Sequence, residues 1–187
     1  AKKTFIHKLF RYLTWFMIYM NFLSKKIIIN PDNEDYSKPA IIITNHQSHI
    51  DLMLMMLLNH KVVVLTNTRN FSSPMYGPAL RYAGFIEVDG SYESILDKVK
   101  DQINQGYSVV VFVEGHRSDT GKLGRFHKGA FYLANELNLD ILPIIIYGQK
   151  ELLKKSEFFL KRGPVVTKFL PRIKLDNGNF GTSLREQ

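Results

Sequence analysis

The sequence has 187 residues, with 25 Lys and Arg against 17 Asp and Glu, a formal net charge of +8 and no cysteine. This length is typical of one domain, and a hydrophobic fraction of 45% is too high for a disordered chain. Without cysteine, a disulfide framework, a Cys-ligated metal site and a thiol nucleophile are excluded.

The positive charge lies at both ends of the chain. Residues 1–30 carry six basic side chains and no acidic one, and residues 150–174 carry eight basic and two acidic side chains. Residues 31–149 carry 10 basic and 13 acidic side chains, so the middle of the chain is slightly negative. Basic ends of this kind indicate a polyanionic partner, either nucleic acid or an anionic membrane.

Residues 1–24 are the first predicted element, a helix with a basic first half and an aromatic second half. Its unbroken apolar stretch, residues 12–23, is about 12 residues long, short of the roughly 20 that span a bilayer. Aromatic rings beside lysines are typical of the lipid interface. We therefore predict an amphipathic membrane-docking segment over residues 1–30, which holds the protein peripherally or monotopically on the cytoplasmic face of an anionic membrane.

Two other interpretations of this segment are a core helix of a soluble domain and a signal peptide. The signal peptide fits less well, because no small-residue cleavage site follows the apolar stretch. The first residue is Ala1 rather than Met, so we expect a piece excised or processed from a larger polypeptide.

Beyond residue 30, short β-branched runs alternate with helical patterns. The runs mostly lack polar alternation, as in strands that are buried on both faces of a parallel sheet. We predict an α/β domain over residues 31–187, with a mixed, largely parallel sheet covered by helices. The predicted strands are residues 27–29, 40–44, 62–66, 85–88, 108–113, 141–147 and, at an edge, 165–170; the predicted helices are residues 52–59, 75–83, 92–105 and 128–138, with a basic helix or loop at 151–160.

A first polar cluster, residues 44–51, lies between a predicted strand and an apolar helix. Ser48 and Asp51 match a capping arrangement, which puts His46 in the loop and Asp51 in the first helical turn. A carboxylate on one imidazole nitrogen leaves the other nitrogen free to act as a general base. We predict such a His46–Asp51 pair; the alternative is that Asp51 only caps the helix.

A second polar cluster, residues 114–118, directly follows another predicted strand. Ligands of open α/β sheets bind at the carboxyl ends of the strands, so both clusters lie where a site is expected. A carboxylate, a guanidinium and a hydroxyl beside a glycine suit a hydroxylated or anionic acceptor; alternatively, Glu114 and Arg117 form a structural ion pair. The chain has no G-x-S-x-G motif, so the base is expected to activate a hydroxyl of a substrate or of water.

Four blocks together resemble the glycerolipid acyltransferase superfamily, that of 1-acylglycerol-3-phosphate acyltransferase. Asn45, His46 and Asp51 match its N-H-x-x-x-x-D motif, and the other three blocks follow in the order of the family. Each block alone is weak, but four in this order are specific, and they cover residues 40–148. The second block is residues 84–89, the third comprises residues 112–118, 121–123 and 126–130, and the fourth is residues 141–144.

The resemblance implies acyl transfer from an acyl thioester, carried by coenzyme A or acyl carrier protein, to a lipid hydroxyl. His46 would deprotonate the hydroxyl, Asp51 would orient His46, and backbone N–H groups after strand 40–44 or at Gly115 would stabilise the oxyanion. No metal or further cofactor is implied. The residues expected to contact substrate are Asn45, Glu114, Gly115, His116, Arg117 and Ser118.

The sequence departs from the family at three positions. Gly90 stands where the second motif usually ends in Arg, Asn67 stands in place of a common Lys, and His116 replaces the usual Thr. Each missing charge-assisted contact costs about 1.5–3 kcal/mol. We therefore predict an acceptor other than simple lysophosphatidic acid, such as a glycolipid, an amino-acid lipid or a phenol. Lysophosphatidic acid stays open, because another cation can compensate: Arg69, Arg81, Arg125 or Lys128.

Three other classes of function were weighed. A metal-dependent hydrolase has enough nitrogen and oxygen ligands for a zinc or iron site in His46, His49, Asp51, Glu114, His116 and His127. A non-catalytic membrane-binding module would explain the altered motifs, although His46 and Asp51 are both present. Nucleic-acid binding is the weakest candidate, and we expect no such partner, because the basic ends lack a helix-turn-helix or RNA-binding aromatic motif.

Overall fold

A computed structural model describes residues 2–20, 24–48, 50–58, 61–74, 77–116, 123–152, 161 and 163–174. Within these residues the chain forms seven strands and seven helices. The strands are β1 (Ser24–Ile29), β2 (Ile41–Thr44), β3 (Val62–Asn67), β4 (Ile86–Val88), β5 (Ser108–Phe112), β6 (Ile141–Tyr147) and β7 (Gly163–Phe169). The helices are α1 (Lys2–Met20), α2 (Ile50–Leu58), α3 (Thr68–Phe71), α4 (Gly77–Tyr82), α5 (Tyr92–Asn104), α6 (Gly129–Glu136) and α7 (Gln149–Leu152).

The described strands form one sheet in the order β1-β7-β6-β2-β5-β3-β4. Strands β6, β2, β5, β3 and β4 are parallel, whereas β7 is antiparallel to β6 and parallel to β1. The predicted mixed, largely parallel α/β sheet is confirmed. The buried runs follow from this arrangement, because strands β2, β5 and β6 have neighbours on both sides and helices over the sheet.

The interpretation of β7 as an edge strand is wrong. Strand β1 pairs with β7 over six residues, from Ser24 with Gly163 to Ile29 with Lys168, and so covers that edge. The predicted segment 1–30 therefore contributes a strand to the sheet, and its boundary at residue 30 is not a boundary of the sheet. The alternating burial of β7 resembles that of an edge strand, and only long-range pairing shows which strand is outermost.

The predicted N-terminal helix is present as α1, and one of its faces packs on the domain. His7 is buried, and its Nε2 lies 2.6 Å from the carbonyl oxygen of Ala83, which can only accept a hydrogen bond. The His7 ring also meets the rings of Phe85 and Tyr107 edge-on. None of the described helices is both long and apolar enough to cross a bilayer.

Strands β2 and β5 are neighbours in parallel register, with Thr44 opposite Phe112. The loops that follow them therefore start at the same edge of the sheet. Helix α2 begins directly after the first of these loops, and most of its apolar side chains are buried in the core. This packing fixes the first turn of α2, which carries Asp51, against the carboxyl end of β2.

Candidate active site

His46 and Asp51 lie in direct contact, as the spacing predicts. Nδ1 of His46 is 2.9 Å from Oδ2 of Asp51, and the carboxylate is fully buried while the imidazole is 22% exposed. A carboxylate accepts hydrogen bonds, so Nδ1 carries the proton and Nε2 keeps its lone pair. The pair therefore has the geometry of an oriented general base.

Asp51 also holds the backbone of the loop. Its Oδ2 accepts hydrogen bonds from the N–H groups of Gln47 (2.7 Å) and Ser48 (2.9 Å). The bond from Ser48 is the half of the capping box in which the helical carboxylate reaches back to the cap. Asp51 thus caps helix α2 and orients the ring of His46 with the same oxygen, so the two roles are not alternatives.

Asn45 connects the loop to strand β6. Its Nδ2 donates to the carbonyl oxygen of Ile146 (3.0 Å), and its Oδ1 accepts from the N–H of Ile146 (2.9 Å). The side chain is almost completely buried. The side-chain amide therefore continues the β2–β6 pairing past the end of β2. It fixes Asn45, and so the backbone that leads into His46.

The ring of Phe112, the last residue of β5, stacks on the ring of His46. The two centroids are 4.1 Å apart and the planes differ by 26°. Phe112 lies opposite Thr44 in the β2–β5 register, and Thr44 precedes His46 by two residues. His46 is thus positioned from three sides, by Asp51, Asn45 and Phe112.

His46 opens onto a pocket of about 630 Å³. Its polar wall contains Arg69, His116 and His127 beside the backbone of Gly115, and no Asp or Glu is among the described residues that line it. Its apolar wall comes from strands β3–β5 and helices α5 and α6: Leu65, Val88, Tyr92, Ile95, Phe112 and Leu133. Burial, with the nearby carboxylate of Glu136 and phenol of Tyr132, raises the pKa of Tyr92.

Gly115 needs to be glycine for two reasons. Its φ of +70° lies in the left-handed region, and a Cβ added to it would come within 3.2 Å of the His127 ring. His127 in turn donates its backbone N–H to the carbonyl oxygen of Val113 (2.8 Å). The loop around residue 127 thereby returns to the end of β5 and brings a second histidine to the pocket.

The comparison with known families agrees with this site. The model of the family described as "Acyltransferase" matches residues 25–147, which include both polar clusters. The chain belongs to the acyltransferase family. The match covers well over half of the chain and all of the site residues named above.

Two relatives of this acyltransferase-family chain are 1-acyl-sn-glycerol-3-phosphate acyltransferases. That of Cocos nucifera is 30% identical over 144 residues, covering 74% of this chain and 47% of the relative. The alpha form from Homo sapiens is 30% identical over 143 residues, covering 73% of this chain and 50% of the relative. The chain therefore spans about half the length of these relatives.

The acyltransferase fold is also found in a solved structure. The crystal structure of the 1-acyl-sn-glycerophosphate (LPA) acyltransferase PlsC from Thermotoga maritima superposes with a TM-score of 0.76 at 21% identity. The alignment covers 98% of this chain and 73% of that chain. This likeness shows that the two chains share a fold.

The candidate site contains part of the residue set expected from the sequence. Gly115 and His116 line the pocket with His46, whereas Asn45 and Glu114 direct their polar atoms to backbone groups. Arg117, Ser118 and His49 lie outside the described residues. Of the four cations considered as compensating charges, Arg69 lines the pocket, while Arg81 donates to the carbonyl oxygen of Phe71.

The backbone N–H groups expected to face an oxyanion are engaged within the protein. Those of Gln47 and Ser48 bind Asp51, that of His46 binds Glu114, and that of Gly115 donates to Phe112. The loop uses these donors to hold its own shape, and oxyanion stabilisation by backbone N–H groups stays a prediction, since His49 of the same loop lies outside the described residues.

Phe112 was not predicted as a site residue, and His127 was predicted only as a ligand in the alternative of a metal-dependent hydrolase. Both fall in the third family block, but only the strand register and the returning loop bring them to His46. Among the described residues, no cluster of three or more histidine, aspartate or glutamate side chains is arranged to hold a metal ion.

Proposed function

We propose that this chain is a membrane-associated O-acyltransferase that moves an acyl chain from an acyl thioester to a lipid hydroxyl. The observation that carries the proposal is the 2.9 Å contact between His46 and Asp51 at a pocket that is lined in part by apolar side chains. Family membership supports acyl transfer as the type of reaction. The thioester carrier is either coenzyme A or acyl carrier protein.

In the proposed reaction, Nε2 of His46 takes the proton of the acceptor hydroxyl. The alkoxide attacks the thioester carbonyl, and the carbon–sulfur bond breaks as the ester bond forms. The leaving thiolate receives the proton from the imidazolium, so the protein returns to its starting state. The negative charge of Asp51 stabilises the imidazolium between these two transfers.

The pocket divides into two walls that suit the two parts of such a substrate. The apolar wall suits an acyl chain, because burial of each CH₂ group contributes about 0.8 kcal/mol. The polar wall of Arg69, His116 and His127 suits an anionic or hydroxylated group. Among the described residues that line the pocket, Arg69 is the one Arg or Lys, and Gly90 and Asn67 stand where two further cations were expected. Because these two cations are missing, we propose a glycolipid, an amino-acid lipid or a phenol as acceptor, with lysophosphatidic acid as the acceptor for comparison.

We also propose that α1 docks on an anionic membrane from the cytoplasmic side. Opposite His7, α1 exposes a stripe defined here as Phe5, Leu9, Tyr12, Leu13, Trp15 and Phe16. Exposed Lys8 and Arg11 lie beside the stripe, and burial, followed by the charge of Arg11, lowers the pKa of Lys26. Apolar rings beside clustered positive charge fit the interface of an anionic leaflet.

The reaction is tested by incubating the purified protein with acyl-CoA or acyl carrier protein thioesters and each acceptor class, followed by mass analysis of the lipid products. We expect an acylated acceptor, a loss of at least about 100-fold in His46→Ala, and unchanged activity in EDTA. No product with any acceptor, or loss of turnover in EDTA, would contradict the proposal. Faster turnover of lysophosphatidic acid than of all other acceptors would refute the acceptor assignment alone.

Docking is tested with Trp15, the single tryptophan of the chain, as a fluorescent probe. We expect its emission to shift to the blue with phosphatidylglycerol vesicles and much less with phosphatidylcholine vesicles. The double variant Phe5→Ser/Phe16→Ser should weaken this binding. Tyr82→Ser, which changes an exposed aromatic residue outside the stripe, is the matched control. Equal binding by both variants would rule out the stripe as the docking surface.

A further inference from the structure

Glu114 is buried and binds only backbone groups within the described part of the chain. Only 2% of the surface of Glu114 is exposed. Oε1 accepts a hydrogen bond from the N–H of His46 (3.1 Å), and Oε2 accepts one from the N–H of Gly124 (2.8 Å). Each oxygen already accepts one hydrogen bond, and the burial of the residue leaves little surface at which a substrate could reach either oxygen.

The two partners of Glu114 belong to the two segments that build the pocket. His46 is in the loop after β2, and Gly124 is in the segment that runs through His127 to α6. That segment is also tied to the end of β5 by the hydrogen bond from His127 to Val113. Glu114 thus links the backbone of the base to the backbone that carries the second pocket histidine.

The segment leaves room for this link at Gly124. A Cβ added to Gly124 would lie 3.2 Å from Oε2 of Glu114, closer than side chains ordinarily pack. The absence of a side chain therefore lets the backbone N–H approach the carboxylate directly. The N–H of Gly124 is the donor and the carboxylate of Glu114 is the acceptor of the hydrogen bond that joins the two segments.

We infer that Glu114 is a positioning residue, which holds His46 and the segment through Gly124 in their working arrangement and does not contact the acceptor. This inference rests on the proposed function, since it assigns Glu114 a part in the turnover of that same site. It replaces the substrate contact expected from the sequence. Hydrogen bonds from backbone N–H groups to a buried carboxylate are among the stronger ones in proteins, which suits this role.

The kinetic test compares Glu114→Gln with Glu151→Gln, which removes a carboxylate from an exposed position on α7. In Glu114→Gln the amide oxygen can accept from one N–H, but the amide nitrogen then faces the other donor. We expect kcat to fall about 10- to 100-fold, because small displacements of a catalytic group have effects of this size. KM for the acceptor and the order of preference among acceptors should stay unchanged, and Glu151→Gln should behave like the parent protein.

Two results would overturn the inference. A rise of acceptor KM with kcat retained, or a changed acceptor preference, would show that Glu114 contacts the substrate. A lower unfolding midpoint with an unchanged kcat per folded molecule would show that it stabilises the fold alone.

A second measurement does not depend on turnover. Hydrogen exchange by NMR should show slow exchange for the amides of His46 and Gly124, and in Glu114→Gln at least one should exchange about tenfold faster. Unchanged exchange at both amides would refute the link even if the enzyme is active. Conversely, if the parent protein acylates no acceptor while these amides respond, the proposed function fails and the link stands.

Gly124→Ala disturbs the same hydrogen bond at its donor, and it replaces Glu114→Gln in the test if that variant does not fold. We expect a smaller loss of kcat than in Glu114→Gln, again without a change of acceptor KM. Where the double variant folds, it should be no slower than Glu114→Gln alone, because the second change acts on a bond already lost. Parent-like kcat in Gly124→Ala, or losses that multiply in the double variant, would contradict the inference.

Discussion

The loops after β2 and β5 begin at the same edge of the sheet, and each contains a histidine and a buried polar neighbour. In the first loop, His46 is held by Asp51 through its ring. In the second, His116 reaches the pocket without a hydrogen-bond partner in the described part of the chain, and Glu114 is bound by the backbone of His46. Both buried carboxylates therefore bind groups of one histidine, which supports His46 as the proposed base, whereas His116 lines the pocket.

The largest expected effect comes from breaking the ring contact of the first loop. In Asp51→Asn the amide keeps the shape of the side chain but lacks the charge that stabilises the imidazolium. We expect kcat to fall about 10²- to 10⁴-fold with a small change in KM. Steady-state kinetics at saturating donor measures this, with Asp101→Asn on the exposed face of α5 as the control. A kcat within twofold of the parent value would mean that Asp51 only caps α2.

Asn45→Ala removes the connection between the first loop and β6. The N–H and carbonyl groups of Ile146 both lose a buried partner, which costs about 1–3 kcal/mol of unfolding free energy for each unsatisfied group. We also expect kcat to fall about tenfold as His46 loses its support. Urea denaturation and kinetics measure the two effects, and Asn135→Ala on the exposed face of α6 should change neither. Full stability of Asn45→Ala would show that the hydrogen bonds to Ile146 contribute nothing.

His127→Ala tests a polar residue that lines the pocket, in contrast to Asp51 and Asn45, which hold the His46 loop. We expect KM for the acceptor to rise about three- to tenfold, the size of one lost hydrogen bond. The free energy of unfolding should change by less than about 0.5 kcal/mol, because the backbone bond to Val113 remains. A fall in kcat at unchanged KM would place His127 with the supports of His46 instead.

The smallest effect is expected from the aromatic stack at the end of β5. Phe112→Leu removes the ring below His46, and such ring pairs contribute about 0.5–1.5 kcal/mol. We expect kcat to fall about two- to fivefold. Phe112→Tyr, which keeps the ring, should retain the parent rate. If Leu and Tyr act alike, the stack does not position His46.

Much of this site is predictable because the interactions are local. Asp51 follows His46 by only five positions in the chain. A helix that begins between Ser48 and Asp51 therefore brings the two side chains together. The β-branched runs likewise predict the buried parallel strands β2, β3, β5 and β6, although Ile28 and Ile29 of β1 are exposed. The roles of Glu114 and Asn45 are different, because their partners are 68 and 101 residues away in the chain. A polar residue at a strand end looks the same in sequence whether it faces a ligand or a distant backbone group.

The sequence by itself determined the α/β class, the pairing of His46 with Asp51, the amphipathic N-terminal helix and the family. These follow from periodicity, capping and motif spacing, all of which act over short distances along the chain. Only the tertiary structure decided that β1 lies outside β7, that Phe112 stacks on His46, and that Glu114 binds two backbone segments. Strand order and register arise from long-range burial and hydrogen bonding, which join parts of the chain that no local pattern connects.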